Sequence, residues 1–73
     1  MKKIDLLKCV GSTEPTTFNE LCRALGDDKP EWRELFQTID KAERDGNVDV
    51  ERIQGRIDTL ILTEQGAAQV RNT

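Results

Sequence analysis

The chain reads as an α+β, mostly helical fold: three helices, then a two-stranded hairpin, then a short last helix, in one domain over residues 1–73. Three observations predict it. Apolar residues recur at helical spacing through three early segments. The period switches to alternation after Gly46. A threonine suited to start a helix, Thr63, follows the last apolar run. With 73 residues there is room for a single, economical core.

The first helix is expected from Lys2 to Val10. Ile4, Leu7 and the aliphatic stem of Lys8 share one side there, with Leu6 and Val10 close by. Gly11, Ser12, Thr13, Glu14 and Pro15 form a breaker cluster that stops it. Thr17 followed by Glu20 is a capping box, and Phe18, Leu21, Cys22 and Leu25 then fall at i, i+3, i+4 and i+7. Gly26 ends this second helix where a left-handed residue is wanted. After the link Asp27-Asp28-Lys29, Pro30 suits the first position of a third helix and Glu31 its first turn. Trp32, Leu35, Phe36, Ile39 and Ala42 make one apolar stripe, with Trp32 expected to anchor the core, and Gly46 closes the helix. Two helices joined by a tight turn, the second well capped and amphipathic, form a helix-turn-helix core.

From Asn47 to Glu51 the pattern alternates, with Val48 and Val50 on one face and acids on the other. Ile53 continues this strand after a local adjustment. Gln54-Gly55-Arg56 can form the hairpin tip, and Ile57–Leu62 is the β-branched, apolar return strand. Thr63 then caps a last helix from Glu64 to about Arg71, with Ala67 and Val70 inward and Leu62 stapled against Ala67.

Two short stretches add a likeness. The run Ile39-Asp40-Lys41-Ala42-Glu43-Arg44-Asp45-Gly46-Asn47-Val48 resembles the end of a recognition helix turning into a wing. Leu62-Thr63-Glu64-Gln65-Gly66 resembles the Leu-Thr-Glu-x-Gly signature common after the wing in prokaryotic regulators. The chain is thus similar, over most of its length, to the winged helix-turn-helix superfamily, though to no particular subfamily. That resemblance implies a three-helix helix-turn-helix core with a C-terminal two-stranded wing hairpin. It also implies a small DNA-binding transcriptional regulator, with the third helix in the major groove and the wing on the backbone.

Candidate DNA-binding residues follow from the pattern. Opposite the apolar stripe of the third helix, Arg33, Gln37, Lys41 and Arg44 fall at i, i+4, i+8 and i+11, in one line. Arg33 and Gln37 can hydrogen-bond base edges in bidentate fashion, while Lys41 and Arg44 suit phosphates. Glu34, Asp40 and Asp45 flank that line. Around the tip, Arg52, Gln54 and Arg56 can lie along the backbone or enter a minor groove. Lys2, Lys3 and Lys8 are a further cluster, more in keeping with solubility.

Charge limits this expectation. The net charge is −3, so phosphate binding requires the cations to be concentrated locally. An acidic protein-interaction module, an accessory subunit or antagonist of a DNA-binding machine, is the alternative. One surface shared by the basic line and the hairpin arginines favours double-stranded DNA; acids breaking that surface up favour a protein partner or a homodimer. No enzyme is expected, since no histidine is present, Ser12 is the sole serine and neither cysteine has an activating partner. The five glycines sit singly, forming no phosphate loop, so neither cofactor nor small-molecule substrate is expected. Cys9 and Cys22 match no metal spacing and read as buried structural thiols in a reducing, cytoplasmic setting. Asp5 and Lys8 interrupt any leader-like or membrane-spanning run after Met-Lys-Lys.

Overall fold

The computed structural model describes residues 1–12, 16–26 and 30–72. Helix α1 (Lys3–Ser12) leads into a two-residue strand β1 (Thr16–Thr17), and α2 (Phe18–Leu25) and α3 (Trp32–Arg44) follow. A hairpin of β2 (Val48–Ile53) and β3 (Arg56–Leu62) precedes α4 (Glu64–Arg71). The result is an α+β fold of four helices and a three-stranded antiparallel sheet in the order β1-β3-β2. Thr13–Pro15 of the expected breaker cluster and the link Asp27–Lys29 lie outside the described residues.

Strand β1 is an addition to the sequence reading. Thr16 faces Leu60 and Thr17 faces Thr59 across it. Thr16 is fully buried and its hydroxyl donates to the Val10 carbonyl at 2.9 Å, which satisfies an orphan carbonyl at the end of α1. Thr17 then takes on the expected cap, accepting from the Glu20 amide at 3.1 Å.

A single apolar cluster unites Leu6, Leu7, Val10, Leu21, Leu25, Leu35, Ile39, Ala42, Val48 and Leu60, so every element except β1 and α4 contributes a buried side chain to it. Each fully buried Leu or Ile contributes roughly 1.5–3 kcal/mol of transfer free energy. Val70 of α4 packs against the cluster from outside.

Helix α3 begins two residues later than Pro30 suggested. Glu31 is its N-cap and makes no side-chain cap bond, so Pro30 and Glu31 precede the helix instead of forming its first turn. Its buried residues are Leu35, Thr38, Ile39 and Ala42. Thr38 joins this face because its hydroxyl donates back to the Glu34 carbonyl at 2.8 Å, leaving its methyl free to pack. The buried arc therefore lies away from Trp32 and Phe36. This corrects the expectation that Trp32 anchors the core: its side chain is 50% exposed and that of Phe36 43%.

The hairpin turns at Gln54-Gly55, with φ of 53° and 77°, and Arg56 is already paired with Ile53 as the first residue of β3. Two successive positive φ values make the type I′ geometry that matches strand twist. The adjustment expected near Ile53 is a register shift between Glu51 and Arg52.

Candidate interaction surface

Helix α3 and the hairpin stand side by side, and the start of α2 closes the third side of a cleft between them. The cleft measures about 730 Å³ and is lined by Phe18 and Phe36, by Ile57, and by Asp40, Arg52, Arg56 and Asp58 among others. One wall is an aromatic ledge. The rings of Phe18 and Phe36 stack at 5.7 Å and 6°, and Trp32 packs on both at 5.9 and 6.1 Å. Ile53 on the hairpin is 59% exposed, so among the described residues the exposed large hydrophobic ones are Trp32, Phe36 and Ile53.

The expected DNA-contact residues occupy this region unevenly. Arg33, Gln37, Lys41 and Arg44 are all exposed on α3, as their spacing predicts. Asp40 lies among them: at about 100° per residue it falls roughly 20° from Arg33 around the helix. Arg44 reaches back to the Asp40 carbonyl at 3.5 Å, and Lys41 lies 3.8 Å from Asp45. Gln54 and Arg56 are exposed at the hairpin.

Arg52 is committed elsewhere. Its two terminal nitrogens donate to Glu43 at 3.0 and 2.8 Å, and Asp40 is 4.0 Å away. This bidentate pair fastens the hairpin to the last turns of α3. The Arg52 hydrogen bonds hold the Glu43 carboxyl below its usual range, and the same pair raises the Arg52 pKa. No sequence signal marked the pair, because its partners are nine positions apart across a turn. Among the described residues Arg33 and Arg56 have no carboxylate within ion-pair distance, and Asp58 has no cation there. Asp58 accepts instead from the Thr59 hydroxyl at 2.9 Å.

The remaining cations support other junctions. Lys3 donates to Asp45 at 2.9 Å, which lowers the Asp45 pKa, and the Met1 ammonium contacts Glu34. Both contacts tie the start of α1 to the flank of α3. Lys2 and Lys8 are exposed. The two cysteines are half-buried, less enclosed than expected, and burial, with Asp5 nearby, pushes the Cys9 thiol up. That shift disfavours the reactive thiolate.

Both signs share this surface. In the cleft lining Arg52 and Arg56 stand against Asp40 and Asp58, while Arg33, Lys41 and Arg44 add positive charge along α3, on a chain of net charge −3. Among the described residues no helix is long and apolar enough to cross a membrane. Comparisons with protein-family models, with curated proteins and with solved structures give no match to this chain.

Proposed function

We propose that this chain is a winged helix-turn-helix domain whose α3–wing face docks a protein. The winged arrangement is supported by the element order, by the hairpin that follows α3 directly, and by the β1-β3-β2 sheet. The observation that carries the docking reading is the half-exposed pair Trp32 and Phe36, stacked on the partly buried Phe18, in the face where a duplex reader would present polar side chains. Aromatic residues and arginine concentrate in the energetic centres of protein interfaces, and Arg33 adjoins Trp32 in the chain.

Electrostatics point the same way. Duplex binding gains its sequence-independent affinity from phosphate neutralisation, which a face of mixed charge supplies weakly. Arg52 in particular would have to leave Glu43 and Asp40 to reach a phosphate.

Double-stranded DNA is the second reading, and one observation favours it: Arg33, Gln37, Lys41 and Arg44 share the exposed side of α3. Two experiments on the same protein separate the two. Panning a random-sequence peptide library on the immobilised domain should enrich apolar and aromatic peptides. These should bind the wild type and lose binding to Trp32→Ser/Phe36→Ser. Titrating the labelled domain with mixed-sequence duplex at low salt should leave α3 and wing amides in place. Salt-sensitive shifts at Arg33, Gln37, Lys41, Arg44 and Arg56, with no peptide enriched, would replace the protein reading with the DNA one.

A further inference from the structure

We infer that the protein docked on this face is a second copy of the same chain, an inference that rests on the protein-docking reading above. Three properties of the face make it complementary to itself, as a two-fold interface demands.

Shape comes first. Trp32, half exposed and packed on Phe18 and Phe36, lies beside a cleft of about 730 Å³ that those two phenylalanines wall on one side. A two-fold axis beside them sets each Trp32 into the other copy's cleft. Apolar matching is the second. Phe18, Phe36 and Ile57 line the cleft, so a ring entering it meets rings and an aliphatic side chain. The exposed Ile53 adds apolar surface at the rim.

Charge is the third and most selective property. An isologous patch faces its own copy, so a patch of one sign repels itself. The cleft lining carries both signs, Arg52 and Arg56 with Asp40 and Asp58, although the chain as a whole carries net −3. Its unpaired charges are also of both signs. Among the described residues Arg33 and Arg56 lack a carboxylate and Asp58 lacks a cation. Pairing them between copies satisfies both at once, and reciprocally. A strongly basic partner or a nucleic acid would satisfy one sign and oppose the other.

The test is sedimentation equilibrium of the full chain between about 10 µM and about 1 mM, the range over which a small, weak interface is populated. The wild type should pass from one chain to two. Trp32→Ser/Phe36→Ser should stay monomeric across that range, with a far-ultraviolet circular dichroism spectrum like the wild type's. Arg56→Glu and Asp58→Lys should each weaken self-association by about tenfold or more. An equimolar mixture of these two charge variants should associate better than either alone, which a folding defect cannot produce. A wild type that stays monomeric to the top of the range overturns the second copy as occupant. So does a dimer unaffected by Trp32→Ser/Phe36→Ser. Neither result touches the docking reading, which stands or falls on the peptide and duplex experiments.

Discussion

Thr38 belongs to the buried arc of α3, and the largest rings lie at its edge. Its hydroxyl is satisfied by the Glu34 carbonyl, so the residue behaves as an apolar one and shifts the buried arc of α3 towards Leu35, Thr38 and Ala42. Trp32 and Phe36 lie at the rim of that arc, 50% and 43% exposed. Reading threonine as polar from sequence puts the stripe one position off, and this is why the ledge was not legible while Leu35, Ile39 and Ala42 were. The consequence is measurable by urea unfolding. Trp32→Ala should cost about 1 kcal/mol, whereas Leu35→Ala, removing a fully buried side chain, should cost about 2–5 kcal/mol. Glu43 gives a second residue-scale prediction. Its folded pKa is depressed by Arg52, so its contribution is present above its unfolded pKa, roughly 4.3, and is lost as pH falls through the folded value. Protection factors of the β2 amides near Arg52, taken relative to the intrinsic exchange rate at each pH, should therefore fall on acidification, with the inflection absent in Glu43→Gln.

At the scale of elements, the junction between α3, β2 and α4 explains the Leu62–Gly66 stretch. Thr63 donates its hydroxyl to the Gly46 carbonyl at 2.5 Å and accepts from the Gly66 amide at 3.1 Å, so one side chain caps α4 and anchors it to the turn after α3. The Thr63 amide also donates to the Asn47 carbonyl at 3.0 Å. Gly66 lies so close to that carbonyl that an added Cβ would sit 2.0 Å from its oxygen. Gly66→Ala should lower stability by about 3 kcal/mol, since backbone must move. Gly11→Ala offers a contrast: its Cβ would meet only the end of the Leu62 side chain, at 3.0 Å, within a helix that favours alanine. Urea unfolding should show the Gly66→Ala loss and leave Gly11→Ala close to neutral. The cap at Thr63, the hairpin and the helix order were legible because each rests on local chemistry. Strand β1 was not, because two residues are too few for any period to show and its pairing with Leu60 and Thr59 is distant in sequence.

For the whole molecule, the distribution of charge matters more than its sum. The basic line on α3 was legible residue by residue, since helical spacing fixes it. Its electrostatic fate was not, because Glu43 and Asp40 reach Arg52 only through the packing of the hairpin on α3. That neutralisation and the exposed rings are the two observations that support the proposed protein docking over duplex binding. The most direct measurement is the amide spectrum of the labelled domain as unlabelled chain is added to about 1 mM. Shifts confined to the ledge, the neighbouring turns of α3 and the hairpin from Arg52 to Asp58 are the predicted result. No shift anywhere, or shifts centred on α1 and α4, would contradict self-docking through this face.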